Sequence, residues 1–407
     1  MTSLVILVLT LALVAGRRWR WLPIGRPAAA LVGAVAVVVL GVLSPAQAIA
    51  AVDGRTLALL LGMMLMGAWL ELDGVLPWFE ARFLGRAGTP WGALVALSLS
   101  AAGLSALVTN DTVCVLLTPL VLRFCLARRL PLPPYLLALA TSANLGSAAT
   151  LVGNPQNMLV ATLSGLSYAR WLLLVAPAVA LALGLHLALL ALLYRRRLPA
   201  RFAQTPPLER PRPRPFTLLV LAGVVLAFLL GADLAWTGLA GASVLLLSHR
   251  ADPAPAFARV DWTLLVFFAA LFVVMAGVEH QGALDGILGA VAAHASPTSL
   301  AGTTVFSGLV LVGSNLVSNV PFVLLLGPRL GAAGPGDLGW LLLGLVSTLA
   351  GNLTLVGSMA NLIVAEGARA HHELGFWEYA RVGVASTLLS LLVAVPVVVG
   401  LHAWLPG

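Results

Sequence analysis

The feature that constrains this chain most is a repetition of apolar runs, each about as long as a lipid bilayer is thick. A helix needs about 17–25 apolar residues to cross the hydrocarbon core. Runs of that order recur at Pro27–Leu43, Leu57–Glu71, Trp171–Tyr194, Asp261–Val278 and Val382–Leu401. Charged residues are 9% of the 407, against about 25% in an ordinary soluble domain. So little charge cannot cover a water-facing surface, and the mean hydropathy of +1.02 agrees. The fold class expected is an all-α polytopic membrane protein with the lipid bilayer as its main partner.

Net charge is +8 and all 23 basic residues are Arg. They sit in short loops, not on a basic face with interleaved aromatics, so no nucleic acid partner is expected. The positive-inside rule orients the chain instead. Thr2–Ala15 is apolar but is followed, not preceded, by Arg17, Arg18 and Arg20. That order is the reverse of a secretory signal, and it reads as a short first membrane helix. With the Arg17–Arg26 loop inside, Pro27–Leu43 crosses outward and Leu57–Glu71 returns. Pro77–Arg86 reads as an interfacial helix on the inner side. Trp91–Ala127 reads as a re-entrant hairpin of two short helices interrupted at Thr109-Asn110-Asp111-Thr112. Pro134–Gly165 goes out, Trp171–Tyr194 returns, and 195–215 is an Arg/Pro-rich cytoplasmic linker. Phe216–Gly231 goes out, Trp236–Ser248 returns and Asp261–Val278 goes out. A second hairpin, Thr298–Leu326, enters from outside; Leu338–Glu366 and Val382–Leu401 complete about ten crossings. This path places 20 Arg inside and 3 outside, with both termini outside and a bacterial plasma (inner) membrane as the expected location.

The two halves resemble each other. Val52-Asp53 matches Val260-Asp261, Leu107–Asn110 matches Leu316–Asn319, Thr150–Gly153 matches Thr354–Gly357, and Asn157 matches Asn361. The offsets are 208, 209, 204 and 204. On the path above the matching helices run in opposite directions, which makes an inverted repeat, a recurring plan of secondary transporters. The organisation expected is 1–26 as first helix and basic loop, 27–194 as the first repeat, 195–215 as linker, and 216–407 as a connecting helix and the second repeat.

Chemistry is expected where these helices break. An unpaired peptide group in hydrocarbon costs several kcal/mol. A break at membrane depth therefore persists only where protein or a wet cavity satisfies it. Its free N–H groups favour an anion and its free carbonyls a cation. Four breaks are expected: the tips Thr109–Thr112 and Ser318–Pro321, and Gly153–Asn157 and Gly357–Asn361 inside crossing helices. Gly153 permits unusual backbone angles, and Pro155 lacks an N–H and disfavours helix at Asn154. Asn side chains both donate and accept. Substrate-binding candidates are Asn110, Asn157, Asn319, Asn361, Thr150 and Thr354. Candidates for cation binding or coupling are Thr109, Asn110, Asp111, Gly153, Asn154, Ser318, Asn319 and Gly357. Asn144 and Asn352, just before the breaks, either brace them or bind.

Asp111 stands apart, because intramembrane carboxylates are costly and functional. It can coordinate a cation, carry a coupling proton, or cap the second hairpin helix; Val320 stands in its place at the second tip. Glu366 ends a crossing helix and reaches either the inner surface or the site. Glu71, Asp73, Glu279 and Asp285 read as interfacial, and His371 and His372 as solvated. Cys114 and Cys125 have no metal-ligand spacing and read as packing residues. No Arg is expected at membrane depth near the breaks, so either an anion is held by helix starts and neutral donors with a bound cation, or the substrate is a cation or a neutral solute. No enzyme is expected: neither paired catalytic Asp nor a Gly-x-Ser-Gly with His is present, and no nucleotide-binding loop marks a pump. A channel would want a continuous polar pore rather than local breaks.

The segments TSANLGSAATLVGNPQNMLVA (141–161), STLAGNLTLVGSMANLIVAEG (347–367), LVTNDT and NLVSNVP resemble the ion transporter superfamily. That group holds divalent-anion/sodium symporters, citrate transporters, arsenite permeases and sodium/proton antiporters. The resemblance spans residues 27–402. It implies one Na⁺ site at Thr109, Asn110 and Gly153 and another at Ser318, Asn319 and Gly357, a homodimer, and elevator-type movement. Asp111 and Pro321 depart from the Ser-Asn-Thr tips of the symporters. The function expected is secondary active symport of a small anion with Na⁺ or H⁺ and no other cofactor. Arsenite efflux and Na⁺/H⁺ antiport are the alternatives.

Overall fold

The computed structural model describes residues 2–15, 25–75, 78, 82, 87–202, 212–250, 252–282, 299–333 and 336–405. The expected interfacial helix at 77–86, most of the Arg17–Arg26 loop, Asp285 and the middle of the linker lie outside these residues. The described secondary structure is helical: α1 (Thr2–Ala15), α2 (Arg26–Val39), α3 (Pro45–Ala50), α4 (Gly54–Leu72), α5 (Pro90–Leu107), α6 (Asn110–Arg128), α7 (Leu132–Ser147), α8 (Pro155–Ser164), α9 (Tyr168–Tyr194), α10 (Pro215–Leu229), α11 (Leu234–His249), α12 (Ala254–Phe257), α13 (Trp262–His280), α14 (Leu300–Val317), α15 (Asn319–Ala333), α16 (Gly336–Ala350), α17 (Met359–Ala368) and α18 (Phe376–Trp404).

Local chemistry sets these boundaries. Asp53 and Asp261 cap α4 and α13, accepting from the N–H groups of Arg55 and Leu264. Thr89 caps α5 through Gly92 N–H. Proline opens α2, α5, α7, α8 and α10, where a missing N–H costs nothing. Seven helices (α4, α5, α6, α9, α13, α14 and α18) are long and apolar enough to cross a membrane. Helices α5 and α6, expected as the two short arms of a hairpin, have 18 and 19 residues, and each is long enough to cross. The first helix is the reverse case: its 14 residues span about 21 Å, less than the roughly 30 Å core.

The helices pack in two groups. In one, α4 lies along α11, and α2 lies between α1 and α13. In the other, α5 packs on α7, α14 on α16, and the long arms α9 and α18 on each other. The seam between groups is thin, mainly α4 against α8, α1 against α14 and α13 against α15. Within the second group the halves interlock. The hairpin helix α6 packs on α17 of the other half, and α15 packs on α8.

Candidate functional site

Both expected helix breaks are present. α7 stops at Ser147 and α8 restarts at Pro155; α16 stops at Ala350 and α17 restarts at Met359. The carbonyls freed at the first break find donors inside the protein. Asn157 Nδ2 donates to Thr150 O at 2.9 Å and Ser147 O at 3.4 Å. Trp171 Nε1 donates to Ala148 O at 3.2 Å, and Asn110 N–H donates to Gly153 O at 2.9 Å. The second break repeats the pattern: Asn361 Nδ2 donates to Thr354 O at 3.0 Å and Gly351 O at 2.8 Å. These breaks persist in an apolar setting because side-chain amides replace the missing helical donors.

Each break is tied to its neighbouring tip. Thr150 Oγ1 donates to Ala106 O at 2.7 Å, and Thr354 Oγ1 to Asn315 Oδ1 at 3.4 Å. Gly153 is required by space: a Cβ there would lie 2.3 Å from Ser147 O and 2.7 Å from Ser105 O. At Gly357 the same atom would lie 2.9 Å from Gly351 O.

The two breaks also complete one another through buried Asn144. Its Oδ1 accepts from Asn110 Nδ2 at 2.8 Å and from Ser358 Oγ at 3.0 Å. Its Nδ2 donates to Asn352 Oδ1 at 2.8 Å and Asn361 Oδ1 at 2.9 Å. Thr348 holds the counterpart position, 204 residues on. It donates to Asn157 Oδ1 at 3.1 Å and accepts from Asn154 Nδ2 at 3.2 Å. Asn352 Nδ2 in turn donates to Thr141 O at 2.9 Å. Asn154, Asn157 and Asn361 are fully buried, and their side-chain bonds hold the breaks together. Asn144 and Asn352 brace.

The tips are different. Asn110 and Asn319 are buried, yet among the described residues the Oδ1 of each has no hydrogen-bond partner. The Oγ atoms of Ser105 and Ser314, five residues before each Asn, are likewise buried and without a partner. An amide oxygen can only accept, so each tip offers acceptors to something that brings positive charge or a proton. Thr109 Oγ1 and Thr112 Oγ1 share a 2.7 Å hydrogen bond. Ser318 has φ 77° and ψ 152°, a region essentially reserved for glycine that costs about 1–3 kcal/mol. That strain sits between the two helices of the second tip. Ser105 and Ser314 escaped the sequence reading because small hydroxyls inside apolar helices look like packing residues.

Asp111 lies in the first turn of α6, while Thr109 occupies the N-cap position; the expected capping role is not what it does. Its carboxylate lines a cavity of about 290 Å³ with Glu71, Asp261, Arg259, Thr109, Thr112 and Met359. Arg259 is bound by Glu71 at 2.8 Å. A second cavity of about 580 Å³ runs along α17 from Leu355 to Arg369 and Glu373. Met359 and Ile363 line both. Arg26 lines the second cavity, and its guanidinium donates to Met359 Sδ at 2.9 Å. An Arg therefore does reach the second break, against expectation. It opens α2, and its long side chain carries the charge to the first residue of α17. Glu366 is paired with Arg369, is mostly exposed and lines the second cavity. Asp73, at the C-cap of α4, is mostly buried, bonded to Thr217 and, at 2.7 Å, to His249. His372 is paired with Glu378 at 2.9 Å. Cys114 and Cys125 are buried free thiols.

Comparison with known proteins places this geometry. Residues 6–350 match the family described as citrate transporter. The silicon efflux transporter LSI3 of Oryza sativa subsp. japonica is 33% identical over 93% of this chain and 93% of its own. A putative transporter arsB of Dictyostelium discoideum is 29% identical over 93% of this chain and 88% of its own. A 46 kDa membrane protein of Mycobacterium leprae is 30% identical over 99% and 98%. The chain belongs to the citrate transporter family, within the ion transporter superfamily.

Proposed function

We propose that the protein is a secondary active transporter that moves a small anion across the membrane together with Na⁺ or H⁺. The observation that carries this reading is the matched pair of buried, unpartnered oxygens at the tips: Ser105 Oγ with Asn110 Oδ1, and Ser314 Oγ with Asn319 Oδ1. Acceptors without donors suit a cation, and a bound cation supplies the charge that an anion needs beside it. Thr109, Asp111 and Gly153 complete the first site, and Ser318 and Gly357 the second. Thr150, Thr354, Asn157 and Asn361 hold the breaks that shape the space between them. In this reading α5–α6 and α14–α15 are re-entrant hairpins of an inverted repeat. The thin seam between the two helix groups is where a homodimeric elevator would slide, and the membrane is a bacterial inner membrane with both termini outside.

A second reading is export of a weak oxyacid. The hydroxyl groups of such a solute would donate to the same four oxygens, and one relative is named for silicon efflux. The deciding experiment is flux into proteoliposomes of citrate, other carboxylates, arsenite and silicic acid, with and without Na⁺ and pH gradients. Carboxylate uptake driven by a cation gradient is the expected result. Flux of oxyacids alone selects the second reading, and no gradient-driven flux of any solute refutes both.

A further inference from the structure

The arginines lining the two cavities are not equivalent. Arg259 is held by Glu71 at 2.8 Å, and Arg369 by Glu366 at 3.4 Å. Arg26 is half-buried, and among the described residues no carboxylate lies within bonding distance of it. Its one hydrogen bond there is to the thioether of Met359. A guanidinium carries five donors in a planar fork suited to carboxylates and other oxyanions, and a thioether is a weak acceptor. Withdrawing such a group from water without a partner is costly. It also faces 580 Å³ of open space that leads from the Arg369–Glu373 rim down to Leu355 at the second break. Beyond Met359 lies the cavity of Asp111, the charge to which Arg26 is electrostatically linked.

We propose that Arg26 is the residue that binds the anionic group of the solute, a carboxylate or comparable oxyanion, at the mouth beside the second break. Asp111 is the charge that this anion displaces. In the empty protein Arg26 and Asp111 attract one another from the two cavities that Met359 separates. An anion on Arg26 leaves Asp111 uncompensated until a proton or Na⁺ neutralises it. A cation on Asp111 leaves Arg26 free until an anion arrives. Each half-loaded state carries a net charge in a low-dielectric site, so the two ligands favour each other, and by linkage the effect is reciprocal. Of the other charged groups around Asp111, Glu71 is bound to Arg259. Asp261 caps Leu264 and accepts from Thr263, but its carboxylate lines the same cavity and repels that of Asp111, which adds to the need for a cation there. Glu366 is bound to Arg369. Glu373 also lines the Arg26 cavity, with no hydrogen bond to Arg26. The helices α5 and α8 bring no ionisable side chain to Asp111; α7 brings only Tyr135, which donates to Pro90 O. This inference rests on the transporter reading and assigns its anion site.

The test is calorimetric binding of fumarate, sulfate and citrate to the full chain in lipid nanodiscs, at pH 6 and pH 8, with and without Na⁺. Fumarate and sulfate keep their charge across this range. At least one anion is expected to bind about tenfold more tightly when Na⁺ is added or the pH is lowered, a typical coupling strength. Arg26→Gln should weaken that binding by about tenfold or more, and Arg26→Lys by less, since it keeps the charge and loses the fork. Asp111→Asn should bind tightly under all four conditions. A double change His371→Gln/His372→Gln, which touches neither cavity, should keep the cation dependence. Unchanged affinity in Arg26→Gln, no anion binding to the native chain, or retained cation dependence in Asp111→Asn overturns the proposal. If Arg26→Gln does not fold, Asp111→Asn and Arg26→Lys decide. Gradient-driven uptake with Arg26-independent binding sinks this inference alone. Arg26-dependent binding with no gradient-driven flux sinks the transporter reading alone.

Discussion

Asn144→Ala is the sharpest test of how the two breaks are held. The native side chain makes four hydrogen bonds, two accepted and two donated, all buried and all to other polar side chains. Hydrogen bonds between membrane helices average about 0.6 kcal/mol, so four give about 2.5 kcal/mol. Orphaned buried groups cost more, about 1–3 kcal/mol each. The partners cannot all turn elsewhere: Asn361 Nδ2 already serves Gly351 O and Thr354 O, and Asn352 Nδ2 serves Thr141 O. The expected loss is therefore about 2–4 kcal/mol. It can be read from SDS-induced unfolding in mixed micelles, followed by the fluorescence of Trp171, which is buried against Ala148 at the first break. Ser98→Ala is the control. It deletes one local bond, to Leu94 O, and should cost below about 1 kcal/mol. If Asn144→Ala costs no more than Ser98→Ala and leaves flux intact, the bracing argument is wrong.

Three further outcomes follow from the geometry. Gly153→Ala drives a methyl group into the Ser147 and Ser105 carbonyls. It should destabilise by about 3 kcal/mol and abolish flux; a native unfolding midpoint would contradict the close approach. Ser318→Gly relieves the strained backbone and should raise the unfolding free energy by up to about 1 kcal/mol, whereas a loss would assign Ser318 a bond the strain maintains. Asn110→Ala and Asn319→Ala remove oxygens that no protein donor uses. Each should stop cation-driven flux in a protein that still folds, Asn110→Ala at a cost of about 1 kcal/mol because it also removes the donor to Asn144 Oδ1, and flux at the native rate in either would remove the tip sites.

Breaks were legible in the sequence where backbone chemistry dictates them. Gly153, Asn154 and Pro155 stop a helix wherever they stand, and α7 and α8 part there. The matched Asn157 and Asn361 were legible as a pair because they recur at one offset. What each Asn does was not legible. Asn157 and Asn361 are expected to bind substrate; the structure adds that their amides satisfy break carbonyls, which depends on where a chain turns back on itself. Thr348 escaped notice because a threonine in an apolar helix carries no sign that its hydroxyl faces Asn157 from the other half. The charge of Arg26 was misplaced for a similar reason. Reading a loop by its backbone position ignores the reach of a long side chain at a helix start. Asp111 was singled out correctly as unequal between the halves, and the acidic cavity it lines comes from Glu71 and Asp261, on helices far away in sequence.

The exchange of side chains between the two breaks sets a timetable for synthesis. Asn157 and Asn154 wait for Thr348, and Asn144 waits for Asn352, Ser358 and Asn361. At about 5–20 residues per second a ribosome needs roughly 10–40 s to make the intervening stretch. Through that interval the first half has closed its break carbonyls with its own donors, but Asn144 Nδ2 and Asn157 Oδ1 still lack the partners that the second half brings. A chain severed in the 195–215 linker would leave both fragments in that state permanently, so the two pieces should accumulate only when made together.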